Sequence, residues 1–182
     1  MQALIDAQKS GKIHSGEICI VISNKANAYA LERAKSAGIP GCVVSKKELG
    51  SQTAFEEKIK EILTENKIDI IVLAGFMCIL SENFTKAYPE RIINVHPSLI
   101  PSFCGKGFYG LHVHEAALDY GVKVTGATVH FVNEIPDGGK IILQKAVAIE
   151  EGDTPDILQK RVMEQAEWNI LPEAVEKVAS EL

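Results

Sequence analysis

The first stretch that could carry out chemistry is Asn94-Val95-His96-Pro97, at the end of a short apolar run. Residues 91–95 are typical of a strand, and Pro97 ends it because proline has no N–H to donate to a sheet. Asn94 and His96 are two residues apart, so their side chains point to the same side of an extended chain. A hydrogen-bond donor beside a proton carrier, where a strand leaves an α/β sheet, suits acyl transfer at a carbonyl. A histidine that only caps the turn is the alternative.

A second candidate lies in the turn sequence Pro136-Asp137-Gly138-Gly139. The two glycines let the backbone fold tightly, which would direct Asp137 back toward the edge of the sheet. If Asp137 lies near His96, its carboxylate favours the charged imidazolium and fixes the orientation of the ring. The alternative is an ordinary turn aspartate.

The remaining histidines and the cysteines do not indicate a metal site. His112 and His114 lie at a predicted helix start and face different ways, so we expect both on the surface or in a loop. His130 alternates within a predicted strand, where core packing is the first interpretation and a place in the site the second. No two of the 4 cysteines form a C-x-x-C pair, which favours free thiols in a reducing compartment.

The elements that must position these residues alternate along the first half of the chain. Strand-like runs cover residues 18–23, 41–45, 70–74 and 91–95. Helical patterns cover residues 2–10 and 26–37, a stretch opened by the capping box Thr53-Ala54-Phe55-Glu56, and a short stretch after Ser81. The apolar run at 70–74 is typical of a parallel sheet covered on both faces. Such alternation indicates stacked βαβ units.

The second half of the chain has a different pattern. A glycine-containing loop at 99–110 and a helix at 113–120 come first. Two β-rich runs, 122–132 and 141–149, predict an antiparallel pair that extends the sheet. A helix is expected from Asp153-Thr154-Pro155 to about Trp168, and another after Pro172.

Length and composition limit the class of protein. The 182 residues, 46% of them hydrophobic, predict a single domain over 1–182 with a sizeable core. A net charge of −5 argues against a nucleic-acid surface. The longest apolar run, 68–80, is interrupted by Asp69 and too short to span a bilayer. No secretory signal precedes the first helix, so we expect a cytoplasmic protein.

Beyond these patterns, one run of the chain is Asn94-Val95-His96-Pro97-Ser98-Leu99-Ile100-Pro101, and Asp137-Gly138-Gly139 follows it downstream. This combination resembles the phosphoribosylglycinamide formyltransferase family. Four further stretches agree in the same order: Ser23-Asn24-Lys25-Ala26, Ala74-Gly75-Phe76-Met77, Gly126-Ala127-Thr128-Val129-His130-Phe131-Val132 and Ile141-Ile142-Leu143-Gln144. The resemblance implies a Rossmann-like α/β fold: a mostly parallel sheet, helices on both faces and an antiparallel C-terminal extension. It also implies transfer of a formyl group from the cosubstrate 10-formyltetrahydrofolate to the amine of glycinamide ribonucleotide, in purine biosynthesis and without a metal.

The resemblance also assigns roles to individual residues. His96 would be the general acid, Asn94 would stabilise the oxyanion, and Asp137 would tune His96. Glu167 would contact glycinamide ribonucleotide, although a solvated helix glutamate is the alternative. The folate would lie against the following residues: Met77, Cys78, Ile79, Leu80, Asn94, Asn133, Glu134, Ile135, Pro136 and Asp137.

Two positions on the folate side need separate comment. Gln52 lies where some family members carry an arginine near the glutamate tail of the folate, and Cys78 lies where arginine is frequent. Glutamine cannot form the charged, bidentate contact that arginine forms with a carboxylate, so the resemblance predicts weak binding of the glutamate tail. Plain core packing is the alternative for Met77, Ile79 and Leu80.

The resemblance departs most at the start of the chain. Family members begin with a strand and a glycine- and serine-rich loop whose N–H groups hold the substrate phosphate. Met1 matches the residue just after that loop, so we expect the first strand and the phosphate loop to be missing, with weak ribonucleotide binding as the consequence. Alternatives are another folate-dependent formyl transfer or hydrolysis, and a folate- or nucleotide-binding module without catalysis. The sequence also leaves open whether the chain forms a homodimer.

Overall fold

A computed structural model describes all 182 residues, and its strands and helices follow one another in α/β order. The strands are β1 (Val21–Ser23), β2 (Gly41–Val43), β3 (Ile71–Leu73), β4 (Ile92–His96), β5 (Val124–Phe131) and β6 (Ile141–Ala148). The helices are α1 (Gln2–Lys9), α2 (Tyr29–Ser36), α3 (Lys46–Leu49), α4 (Gln52–Glu65), α5 (Glu82–Ala87), α6 (Leu111–Tyr120), α7 (Pro155–Val162) and α8 (Trp168–Ala179). Of these, α3 is not among the predicted elements, and several strands are shorter than predicted.

The strands form two sheets. β1 and β2 pair in parallel, and the second sheet has the order β3-β4-β5-β6. Its first pair is parallel, whereas β5 runs antiparallel to both β4 and β6. The α/β class and the antiparallel extension are therefore confirmed. No ladder joins β1 to β3, and the expectation about a missing first strand and phosphate loop stays a prediction.

Helices cover both faces of the larger sheet, as predicted. Ile92 and Ile93 are fully buried on opposite faces, because successive residues of a strand alternate. Ile93 joins a cluster supplied by α1, α7 and α8, and Ile92 joins a second cluster supplied mainly by α4 and α5. β4 thus lies between two apolar layers, and its carboxyl end carries His96.

β3 is less buried than predicted. Every residue of β3 is only half-buried, although residues 70–74 were expected to be covered on both faces. β3 has a hydrogen-bonded neighbour on one edge alone, which is β4, so its other edge is not covered by the sheet.

Two helix boundaries also differ from the prediction. The capping box at Thr53-Ala54-Phe55-Glu56 is wrong: the side chain of Ser51 accepts the capping bond from Ala54, and Glu56 binds elsewhere. The predicted break at Pro172 is wrong as well, since Pro172 lies inside α8. The irregularity comes earlier, as a π-helical turn at Met163–Glu167 between α7 and α8. Thr154 caps α7 with Pro155 in the first turn, as predicted.

None of the helices combines the length and apolar composition needed to cross a membrane. The four cysteines are free thiols, each partly buried.

Candidate functional site

The site begins with the register between β4 and β5. Asn94 is paired with His130, and His96 is paired with Thr128. Paired residues in an antiparallel ladder project from the same face, and Asn94 and His96 share a face because they are two apart. Four polar side chains therefore line one face at the end of β4.

The turn after β5 brings Asp137 to this face. Asp137 Oδ2 lies 3.5 Å from His96 Nδ1 and accepts a 2.8 Å hydrogen bond from the N–H of Gly105. Its other oxygen, Oδ1, lies 3.7 Å from His130 Nε2. The predicted approach of Asp137 to His96 is confirmed.

The two glycines of the turn act differently from the prediction. Asp137 itself has the left-handed backbone, with φ of 56°, whereas Gly138 and Gly139 do not. A Cβ at Gly139 would collide with the carbonyl oxygen of Phe131, and one at Gly138 would lie 2.6 Å from Ile135 Cγ2. The glycines therefore permit close packing of the turn against its neighbours.

His96 is buried and held at both ring nitrogens. Its Nε2 donates to the carbonyl oxygen of Phe103 at 2.8 Å, and its Nδ1 faces the carboxylate of Asp137. Both neighbours are acceptors, so a ring with a proton on each nitrogen satisfies both. Phe103 lies in the 99–110 loop, which contains neither helix nor strand, as predicted.

His130 belongs to the site and is not simply core filler. Its Nδ1 donates to the carbonyl oxygen of Phe131 at 2.8 Å, which leaves Nε2 to accept from Asn94 Nδ2 at 3.3 Å. Burial lowers the pKa of His130, and the nearby His96 acts in the same direction, although the Phe131 carbonyl and Asp137 partly oppose them. A neutral His130 fixes the amide of Asn94 and leaves the second Nδ2 hydrogen free for a ligand.

The predicted surface position is correct for His112 and wrong for His114. His112 is exposed and lies 2.8 Å from Glu115. His114 is 1% exposed, and its Nδ1 has no hydrogen-bond partner. Burial lowers the pKa of His114 to about 4, with a further contribution from the neighbouring His96. No group of three or more histidine, cysteine or acidic side chains is arranged to hold a metal ion.

The loop after His96 is held by two residues to which the sequence motifs assign no role. Thr128 Oγ1 donates to the carbonyl of Ser98 at 2.7 Å and accepts from the N–H of Ile100 at 3.1 Å. Gln144 Nε2 donates to Thr128 Oγ1 at 2.9 Å and to the Ile100 carbonyl at 3.0 Å. Thr128 pairs with His96 and Gln144 pairs with Thr128 in the ladders. The strand register could have revealed both residues, but the linear motif could not.

The segment Met77–Leu80 presents apolar side chains to solvent. Met77 is 66% exposed and Ile79 is 75% exposed, so the core interpretation is wrong for these two residues. It is correct for Leu80, which is buried in the cluster under α4 and α5. Cys78 is half-buried, and its sulfur accepts from Asn24 Nδ2 at 3.8 Å.

The other predicted folate-side loop runs from Asn133 to Asp137. Asn133 Oδ1 accepts from the N–H of Ile135 at 2.9 Å, and the Ile135 side chain is exposed. Asn133 and Glu134 border a cleft of about 340 Å³ whose lining is mostly polar. No hydrogen bond joins this loop to Met77–Leu80.

Gln52 and Glu167 form no hydrogen bond or ion pair with the histidines. Gln52, in the first turn of α4, donates to Glu56 and to the carbonyl of Ile79. Glu167 ends the π-helical turn, where burial raises its pKa to about 7 and the nearby amino group of Met1 partly opposes that rise. Glu167 is only partly exposed, so it is not the fully solvated glutamate of the alternative interpretation.

Comparison with known proteins indicates the same kind of chemistry as the geometry of the site. A family model described as formyl transferase matches residues 1–175. The phosphoribosylglycinamide formyltransferase of Haemophilus influenzae is 42% identical over 172 residues, which cover 94% of this chain and 78% of that protein. The structure of glycinamide ribonucleotide transformylase 1 from Symbiobacterium toebii matches with a TM-score of 0.91 at 41% identity, covering 99% of this chain and 82% of that one.

Some relatives are much longer than this chain. The trifunctional purine biosynthetic protein adenosine-3 of Bos taurus is 47% identical over 180 residues, which cover 99% of this chain. The chain spans only 17% of the length of that relative. Taken with the matches over most of the shorter relatives, these findings show that the chain belongs to the formyl transferase family, among the phosphoribosylglycinamide formyltransferases.

Proposed function

We propose that this chain transfers the formyl group of 10-formyltetrahydrofolate to the amine of glycinamide ribonucleotide. The observation that carries the proposal is the cluster at the end of β4, in which Asp137 lies 3.5 Å from His96 while His130 holds Asn94. Family membership supports the choice of both substrates. We further propose that residues 1–182 act as one formyltransferase domain, as the single match over residues 1–175 suggests.

The first step is attack of the amine on the formyl carbon. The carbonyl π bond breaks as the new C–N bond forms, and negative charge develops on the formyl oxygen. The free Nδ2 hydrogen of Asn94 and the His96 imidazolium stabilise that charge, because preorganised donors act strongly in a buried site. His130 contributes by keeping the Asn94 amide in one orientation.

The second step is collapse of the tetrahedral intermediate. The bond from the formyl carbon to N10 of the folate breaks, and its electron pair goes to N10, which takes up a proton. His96 supplies this proton as general acid, the oxyanion returns its electron pair to the carbonyl bond, and the proton that the attacking amine releases restores the proton of His96. Because the Phe103 carbonyl holds Nε2, the proton on Nδ1, beside Asp137, is the one placed for delivery. Asp137 holds the ring in orientation throughout.

Recognition uses residues outside this cluster. The exposed side chains of Met77 and Ile79 would cover one face of the folate ring, and the loop from Asn133 to Asp137 would offer backbone groups to it. Glu167 would accept hydrogen bonds from glycinamide ribonucleotide. A homodimer and a cytoplasmic location remain predictions.

A turnover assay with both substrates tests the proposal. The protein should convert the 10-formyl cosubstrate to tetrahydrofolate only when glycinamide ribonucleotide is present, with one formylated amine formed per folate released. Release of formate without the amine would indicate hydrolysis instead. Folate binding without turnover would indicate a binding module, and either result would overturn the proposal.

A further inference from the structure

The carboxylate of Glu56 is a buried charged group to which the proposed reaction assigns no role. Glu56 is 5% exposed, on the inner face of α4. Its Oε1 accepts from the N–H of Ser81 at 2.7 Å, and its Oε2 accepts from the Ser81 hydroxyl at 2.5 Å. Burial alone raises the pKa of Glu56, but the bonds from Ser81 and Gln52 outweigh burial and lower it overall.

Gln52 extends the contacts of Glu56 one step further. Gln52 Nε2 donates to Glu56 Oε1 at 2.5 Å and to the carbonyl of Ile79 at 3.2 Å. Both neighbours are acceptors, so the nitrogen of the amide, and not its oxygen, must face them. The two hydrogens of that nitrogen are thereby used, and Gln52 has no donor left for a ligand.

These bonds hold the backbone of an otherwise exposed segment. The carbonyl of Ile79 is fixed through Gln52, and both donors of Ser81 are fixed directly by Glu56. The buried Leu80 lies between these two held residues, the exposed side chain of Ile79 belongs to the first of them, and the exposed Met77 lies two residues before it. An apolar surface whose backbone is already fixed loses less conformational freedom when a ligand covers it.

We propose that Glu56, acting through Gln52 and Ser81, is a positioning residue that presets Met77–Leu80 for the ring of the folate cosubstrate. The proposal rests on the proposed function for the identity of that ligand. A second consequence concerns specificity: since Gln52 has no free donor, it gives no grip on the carboxylates of a folate glutamate tail. The segment Met77–Leu80 therefore recognises the ring of the folate and not its glutamate tail.

A purely structural role for Glu56 is the competing explanation. Ser81 also caps α5 by accepting from the N–H of Phe84 at 3.2 Å, so loss of Glu56 would weaken that cap. A structural role predicts lower stability with an unchanged affinity for folate. Gln52 separates the two explanations, because it contacts Ile79 and Glu56 but takes no part in the cap.

The experiment therefore centres on Gln52. Gln52→Ala removes the bonds to Ile79 and Glu56, while Gln52→Arg keeps donors for both and serves as the rescue variant. Glu57→Gln is the matched control, since Glu57 is exposed one residue further along α4. Binding is measured with a 5,10-dideaza analogue of tetrahydrofolate, with and without its glutamate tail. Hydrogen exchange of the amides from Met77 to Phe84 is measured on the same proteins without ligand.

Gln52→Ala should weaken binding of the analogue about tenfold, the effect expected from one lost hydrogen bond. It should also speed exchange at Met77–Leu80, leave kcat within about twofold and be restored by Gln52→Arg. In the original protein, removing the glutamate tail should change affinity by less than about tenfold. Unchanged affinity in Gln52→Ala, or unchanged exchange at this segment, would overturn the proposal while leaving the proposed function intact. Failure of the unmodified protein to bind the analogue would overturn both.

Discussion

Two regions of the site are built in opposite ways. In the His96 cluster, formed by Asn94, His96, His130 and Asp137, two buried histidines and two half-buried polar side chains contact one another at 3.3–3.7 Å. In the segment Met77–Leu80, the apolar side chains of Met77 and Ile79 are exposed, and Gln52 holds the backbone at Ile79. Charge that develops during a reaction needs donors already in place, whereas a flat ligand needs an apolar surface left uncovered. The difference predicts that substitutions in the first region change kcat and those in the second change KM.

The largest effect is expected for His96→Ala. Loss of the general acid should lower kcat by ~10²–10⁴-fold, with little change in folate affinity. Steady-state kinetics and equilibrium binding measure the two quantities separately. His112→Ala is the matched control, because His112 is exposed and contacts Glu115 and the ring of Tyr109 rather than the His96 cluster. Activity within a few-fold of the original protein would exclude His96 as the general acid.

A smaller effect on kcat, also in the His96 cluster, is expected for Asp137→Asn. The amide keeps an acceptor for the N–H of Gly105 but loses the negative charge beside His96, so kcat should fall by ~10–10²-fold. Asp119→Asn, on the exposed side of α6, provides the control. An Asp137→Asn enzyme with unaltered kcat would show that the charge of Asp137 does not contribute to the reaction.

In the segment Met77–Leu80, Ile79→Ser should raise the KM for the folate about tenfold without lowering kcat, because the contact that is lost with the folate ring is apolar. The melting temperature should stay unchanged, since the side chain is exposed. Its neighbour gives the contrast: Leu80→Ala removes a buried side chain and should cost ~2–5 kcal/mol of stability. If Ile79→Ser were to destabilise the protein as Leu80→Ala does, the segment would be part of the core.

The smallest effect concerns His114, which lies behind the His96 cluster. Its pKa is about 4 in the folded protein and 6.5 unfolded, so the unfolded state binds the proton first as pH falls. Its contribution to stability is present above pH 6.5 and is lost as pH falls from 6.5 to 4, by no more than ~3 kcal/mol. His114→Leu should make the loss of unfolding free energy over this range shallower. Equal slopes in both proteins would show that His114 does not titrate as described.

Sequence patterns predicted best the features that depend on residues close together in the chain. The strand ending at His96, the turn that returns Asp137 and the antiparallel pair β5–β6 follow from proline, glycine and alternation along a few residues. The roles of Thr128 and Gln144 depend instead on which residues are opposite each other across two ladders. No linear motif contains that register.

Burial was the property that sequence patterns predicted least well. His114, which we expect on the surface or in a loop, lies in the interior, whereas Met77, for which core packing is only the alternative, lies on the surface. Residue type gives only an average tendency to be buried, and a binding site departs from that tendency. The position of Ser51 and Glu56 in α4 was missed for a related reason, because Glu56 bonds to Ser81 across 25 residues and not to its own helix.

The central claim is the division between chemistry at His96 and recognition at Met77–Leu80. The most direct test measures kcat and folate affinity together for two variants, His96→Ala and Ile79→Ser, in one series. We predict opposite patterns: His96→Ala loses ~10²–10⁴-fold in kcat and keeps its affinity, while Ile79→Ser loses about tenfold in affinity and keeps its kcat. If both variants lost kcat and affinity in the same proportion, the two regions would not have separate roles, and the account would be contradicted.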